Sequence, residues 1–156
     1  MDERSCGMNE VQRPILLVED NEDDQILTAA AFQTAGIDCA LHPVPNAEEA
    51  IQYLTNTGAY KDSNRFPRPA VILVDLTLPG KSGHDLLKWM GQRKEFQTIV
   101  RVVLSGSDNP EDVDTSYALG AHGYLLKPLT PDQLMQPGPT LKMLLRRSHP
   151  RAVAQV

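Results

Sequence analysis

Apolar and polar positions alternate in blocks along this chain. Four short apolar runs, Ile15–Val18, Val71–Val74, Val102–Leu104 and Tyr124–Leu126, stand apart from one another. Each is too short for a helix and rich in Val, Ile and Leu, as strands of a buried parallel sheet are. A weaker run from Ile37 to Val44 reads as a fifth strand, and its prolines place it at a sheet edge. Between the runs the spacing turns helical. Glu22 to Ala35 carries Ile26, Leu27, Ala30 and Ala31 on one side, with Gly36 as the C-cap. Asn46 caps a helix through Leu54, with Glu48 and Glu49 in a first turn where the helix dipole favours acids. His84 to Gln92 presents Leu86, Leu87 and Met90. Asn109-Pro110, followed by Glu111 and Asp112, starts another helix that Gly120 closes.

Strand–helix alternation of this kind implies βαβ units and a parallel sheet covered by helices on both faces. The predicted class is α/β: a flavodoxin-like, doubly wound five-stranded sheet with strand order 2-1-3-4-5. One domain spans 14–147, between a polar N-terminal tail (1–13) and a C-terminal tail (148–156).

The apolar runs share an unusual ending. Ile15–Val18 leads into Glu19-Asp20, Val71–Val74 into Asp75, Val102–Leu104 into Ser105, and Tyr124–Leu126 into Lys127. Singly these are ordinary: an Asp after a strand is commonly a cap or turn residue, and a Lys-Pro pair a loop. Jointly they are not, because the carboxyl ends of parallel strands lie on one rim, where open α/β sheets bind ligands. Three carboxylates packed there repel and raise one another's proton affinity. A divalent cation relieves this, and an all-oxygen donor set without a Cys/His cluster points to Mg²⁺ rather than Zn²⁺. Mg²⁺ beside a lysine suits a phosphoryl group. No P-loop and no Gly-rich dinucleotide fingerprint is present, which argues against a nucleotide as its source.

Composition narrows the classes further. A net charge of -5 argues against nucleic acid as a direct partner. No apolar run approaches the roughly 20 residues that span a bilayer, so no membrane role is expected. The start, MDERSCGMNEVQR, lacks the apolar core of a secretory signal, which makes the cytoplasm the expected location. Two cysteines, Cys6 and Cys39, are too few for a disulfide framework, and Cys39 is expected to be a small buried hydrophobe. The four histidines show no metal-ligand spacing, and Trp89 reads as packing on the third helix.

The motifs LLVEDNEDD, VDLTLPGKSG, VVLSGS and GYLLKP, in this order and spacing, resemble the receiver domain of two-component response regulators. The resemblance covers about Pro14 to Asp132. With the loop GAYKDSNRFPRP (Gly58–Pro69), it is most similar to the stand-alone regulators paired with bacterial phytochrome histidine kinases. It implies that Asp75 is the phosphoacceptor, attacking a phosphohistidine on a histidine kinase to form a 4-aspartylphosphate. It implies that Asp20 ligates Mg²⁺ directly and that Glu19 acts through metal-bound water. By the same resemblance, the backbone carbonyl of Thr77 would complete the protein's share of the shell, Lys127 would pair with acceptor and phosphoryl oxygens, Ser105 would be the switch hydroxyl and Tyr124 the switch aromatic. The Lys127-Pro128 bond is expected to be cis. The output face would comprise the Ser105–Gly120 loop and helix, the Gly123–Leu126 strand and the segment C-terminal to that strand. A homodimer through this face is compatible with the resemblance.

The sequence departs from the family at several positions, among them Ser82, where many relatives have an acid. Thr77 and Ser107 stand at variable positions that influence the acyl-phosphate lifetime, and neither is an acid or an amide. The segment Met135-Gln136-Pro137-Gly138-Pro139 interrupts the final helix, since a mid-helix proline costs about 3 kcal/mol. A turn over 131–136, a break, and a second helix near 140–147 are expected. No helix-turn-helix comes after it, so the signal is expected to pass to another protein, which the sequence does not identify. Two other readings compete. A phosphatase of the haloacid type also uses an aspartate nucleophile with Mg²⁺, but needs a general acid where Thr77 stands. A receiver-like binding module would never be phosphorylated, but such modules usually lose some of the residues retained here.

Overall fold

Five parallel strands form one sheet in the order β2-β1-β3-β4-β5. In the computed structural model, which describes residues 13–135, these are β1 (Ile15–Val18), β2 (Leu41–Val44), β3 (Val71–Val74), β4 (Val100–Ser105) and β5 (Gly123–Leu126). The helices are α1 (Glu22–Thr34), α2 (Ala47–Thr55), α3 (Gly83–Gly91), α4 (Pro110–Ala118) and α5 (Pro131–Met135). Short 3₁₀ turns lie at Gly58–Tyr60 and Lys94–Phe96. The break expected at Pro137-Gly138-Pro139, the second helix and both tails lie outside the described residues.

Alternate residues of the central strands feed two separate cores, as the two-residue period of a strand requires. Ile15, Leu17, Leu73, Val102 and Leu104 pack with Phe32 of α1 and Leu134 of α5. Leu16, Val18, Ile72, Val74 and Val103 pack with Tyr53 of α2 and with Leu86, Leu87 and Met90 of α3. β1, β3 and β4 are buried along their whole lengths, which explains their near-continuous apolar character.

Three expectations need correction. The weak run from Ile37 yields only four strand residues; Ile37 itself is buried at the turn after α1, and Cys39 is half-buried against the core. β5 forms the other sheet edge and is only partly covered, with Leu126 exposed. The apolar side of α1 does not coincide with its buried side. Thr28, Ala31 and Phe32 face the sheet, whereas Ile26 and Leu27 are 66% and 49% exposed. The pattern hides this because Ile26 and Leu27 lie about 100° apart on the helix, and Thr28 looked polar.

Local chemistry sets the helix starts. Asn21, Asn46, Ser82 and Asn109 each accept a backbone N–H of the following first turn. Ser82 and Asp85 do so reciprocally as a capping box.

The loop Gly58–Pro69 is held down at its base. The Asn56 side chain donates to the carbonyls of Tyr60 (3.0 Å) and Phe66 (3.1 Å). Tyr53, Tyr60, Phe66 and His42 of β2 form an aromatic cluster with ring centroids 5.0–5.9 Å apart. The Tyr60 hydroxyl donates to Glu49 at 2.7 Å. Burial pushes the Tyr53 phenol up to about 12, and burial with the Glu49 contact does the same for Tyr60. In the unfolded chain both ionise near pH 10. Their contribution to stability is therefore complete below pH 10 and lost as pH rises towards 12, by about 2–3 kcal/mol for each tyrosine. Urea midpoints should fall across that interval, and Tyr53→Phe should flatten the fall.

Candidate functional site at the carboxyl rim of the sheet

The sheet brings the polar strand ends together. Asp75, 5% exposed, follows β3, and its N–H donates to the Val18 carbonyl at the end of β1. Glu19, buried, follows β1, with Asp20 exposed beside it. One carboxylate oxygen from each of Glu19, Asp20 and Asp75 lies within 4.8 Å of the others. The Asp75 carboxylate is held on both sides: Oδ1 accepts the Thr77 N–H at 3.0 Å and Oδ2 the Lys127 ammonium at 2.8 Å.

Lys127 leaves β5 through a backbone bond from its N–H to the Ser105 carbonyl (2.8 Å), and the following Lys127-Pro128 peptide is cis. Its ammonium meets Glu19 Oε1 at 2.7 Å, Asp75 Oδ2 at 2.8 Å and Asp24 Oδ2 at 2.9 Å. Burial alone would lower the pKa of Lys127; the close carboxylates of Asp75, Glu19 and Asp24 outweigh it and hold the ammonium firmly protonated. Burial raises the pKa of Glu19, opposed by Lys127 and the Asn21 N–H and reinforced by the Asp75 charge.

The α3 helix is seated directly against the acceptor. The Gly83 N–H donates to the Leu76 carbonyl at 3.2 Å. A Cβ on Gly83 would stand 2.4 Å from the Asp75 carbonyl oxygen and 2.8 Å from Leu76 Cα. Only glycine permits this approach, which gives the last residue of VDLTLPGKSG its reason.

On the other side, the loop from β4 to α4 is stitched by three hydroxyls. Ser105 Oγ, buried, accepts the Ser107 N–H at 3.1 Å. Ser107 Oγ donates to Asp112 of α4 at 2.6 Å. The half-buried Tyr124 donates its hydroxyl to the Ser107 carbonyl at 2.7 Å. Farther along α4, the buried Ser116 Oγ lies 3.0 Å from His84 Nε2 of α3.

The donor set suits a hard divalent cation. Its ligand atoms are all oxygens, and the buried Glu19 Oε1 has no hydrogen-bond donor in good geometry, only the close ion pair to Lys127. Sequence reasoning passed over Asp24. It sits in the acidic run EDNEDD, where a helix first turn already accounts for acids, and only the fold shows it reaching Lys127.

A rim of carboxylates, a hydroxyl and a lysine on a 2-1-3-4-5 sheet is the arrangement of signalling receiver domains. The response regulator receiver domain family matches residues 15–137, and the chain belongs to that family. Response regulators are components of two-component signalling systems. Among curated relatives, response regulator Rcp1 of Synechocystis sp. is 39% identical over 113 residues, covering 72% of this chain and 75% of that protein. The crystal structure of Rcp1 in its Mn²⁺-bound form superposes with a TM-score of 0.66 over 87% of this chain and 88% of that one, at 34% identity. The bacteriophytochrome response regulator AtBRR superposes with a TM-score of 0.72 over 81% of this chain and 89% of that one, at 33% identity. The phosphorylated cyanobacterial phytochrome response regulator RcpA gives 0.69 over 94% and 97%, at 29% identity. Among the described residues, no helix is long and apolar enough to cross a membrane.

Proposed function

We propose that this protein is a stand-alone response regulator of the phytochrome-associated kind, which takes a phosphoryl group from a histidine kinase onto Asp75. The observation that carries this reading is Asp75 itself: nearly buried, grouped with Glu19 and Asp20, and bonded through Oδ2 to Lys127. An Asp75 carboxylate oxygen attacks the phosphorus of a phosphohistidine. The O–P bond forms, the N–P bond breaks, and the imidazole nitrogen leaves with the electron pair. Mg²⁺, held by Glu19, Asp20, Asp75 and the Thr77 carbonyl, would supply positive charge against the phosphoryl oxygens. Lys127 turns its ammonium to one of those oxygens, and Ser105 releases the Ser107 N–H to donate its hydroxyl to another. Tyr124 then loses its acceptor as the Ser107 loop moves and rotates inward. The α4–β5–α5 face changes shape as a result. Such a face suits a downstream protein or a second copy of this chain. The relatives' names make a bacteriophytochrome the kinase of choice, in the cytoplasm.

Incubation with acetyl phosphate followed by intact-mass measurement tests the reading. We expect a gain of one phosphoryl group with Mg²⁺ and none after chelation by EDTA. No gain at any Mg²⁺ level would leave a binding module. Continuous turnover of phosphomonoesters would indicate a phosphatase, which the threonine at position 77 disfavours.

A further inference from the structure

We propose that Asp24 is a positioning residue that keeps the Lys127 ammonium in place for phosphoryl transfer, an inference that rests on Asp75 being the acceptor. An ammonium carries three hydrogens, and Lys127 Nζ has three carboxylates around it: Glu19, Asp75 and Asp24, at 2.7, 2.8 and 2.9 Å. Their duties differ. Glu19 and Asp75 belong to the group whose oxygens converge as a cation would require, whereas Asp24 lies outside that group. Any positive charge settling among Glu19, Asp20 and Asp75 repels Lys127 and competes for two of its three partners. Phosphorylation then converts the Asp75 carboxylate to an acyl phosphate, so Oδ2 no longer offers Lys127 a free carboxylate charge. Asp24 is the anchor that neither event removes.

Its own position is fixed from outside the site. The Asp24 N–H is bound by the Asn21 side chain at 2.9 Å, which caps α1. The Gln25 side chain donates to the Glu19 carbonyl at 2.7 Å, tying the first turn of α1 to the end of β1. The carboxylate therefore projects from a capped helix start to a lysine that follows β5, with Asp24 34% and Lys127 18% exposed. Without this anchor, Lys127 has a four-carbon stem and, until phosphoryl oxygens arrive, only partners for which a cation competes.

Asp24→Asn tests the idea, since it retains the capped backbone N–H and the side-chain shape. With acetyl phosphate and Mg²⁺, the initial rate of phosphoryl uptake at Asp75 should fall about tenfold. In a Lys127→Ala background the same substitution should change nothing, because Asp24 acts through Lys127. Asp24→Glu should recover part of the rate and serves as the second variant if Asp24→Asn loses its helical circular dichroism. An unchanged rate overturns the proposal. A faster rate does so too, since Asp24 would then merely repel the anionic donor. An equal fall without Lys127 also overturns it. A separate readout is the ¹H–¹⁵N signal of the Lys127 ammonium, which should broaden through faster proton exchange in Asp24→Asn. If that broadening occurs but the wild-type protein takes no phosphoryl group, the acceptor reading fails, and Asp24's part in transfer falls with it. If the wild-type protein is phosphorylated but the signal does not change, the anchor alone is wrong.

Discussion

Replacing Asp75 with asparagine should abolish phosphoryl uptake while leaving the fold intact. The amide offers no anionic oxygen to attack phosphorus, so the loss is of the nucleophile itself rather than of a fraction of the rate. Structure should survive because the substitution is nearly isosteric. The Thr77 N–H that bonds Oδ1 at 3.0 Å still finds a carbonyl oxygen in asparagine. The lost ion pair from Lys127 to Oδ2 is offset by relief among the acids, since the Asp75 charge contributes to the raised pKa of Glu19. Lys127 keeps Glu19 and Asp24. Intact mass after treatment with acetyl phosphate and Mg²⁺ should show no gain under conditions that saturate the wild type. A persistent gain would move the acceptor to another residue, with the exposed Asp20 the first to check.

The second large effect is expected at a residue without a side chain. Gly83→Ala inserts a methyl 2.4 Å from the Asp75 carbonyl oxygen and 2.8 Å from Leu76 Cα. Both are backbone atoms at the end of a buried strand, so neither can swing away. Overpacking of this kind costs roughly 1–3 kcal/mol, and the gain in helix propensity from Gly to Ala, about 1 kcal/mol in a helix interior, is smaller at the first position of α3. A net loss of about 2 kcal/mol is expected from urea unfolding. Function should suffer beyond that loss. The strand end that must yield carries the acceptor, and a displacement of about 1 Å at a reacting centre can cost on the order of a hundredfold. Phosphoryl uptake measured well below the urea transition should therefore be slow in the folded variant. A stable variant with wild-type uptake would mean that α3 simply moves aside.

Much of this architecture is legible in the sequence. The four strand ends announced the rim because a parallel sheet must place its carboxyl ends together. Glu19, Asp20, Asp75 and Lys127 accordingly meet there, and Ser105 ends β4 on the same edge. Caps at Asn46 and Asn109 were legible for the same local reason, since an oxygen-bearing side chain before a helix has few other uses. What stayed hidden depended on three-dimensional neighbours. Asp24 looked like one more dipole-favoured acid. The strand β4 begins at Val100 and contains the buried Arg101, whose guanidinium donates to the Phe96 and Gly120 carbonyls, so the apolar run understated it. The side of α1 that faces the sheet was only partly legible: Ala31 lies on it, but Phe32 and the buried Thr28 take the places expected for Ile26 and Leu27. The aromatic cluster under the Gly58–Pro69 loop joins residues from β2, α2 and the loop, and no local pattern links them.

The prolines around β2 have an outcome for how molecules meet. Ala40 and Val44 direct their carbonyls to β1, so positions 41, 43 and 45 direct their backbone groups away from the sheet. Two of these three, Pro43 and Pro45, have no hydrogen to offer. A foreign strand approaching this flank would find a single donor, at Leu41, and could not zip along it. Intermolecular β-pairing is thus discouraged on the β2 flank by covalent structure alone, and the β5 flank is where protection must come from something else.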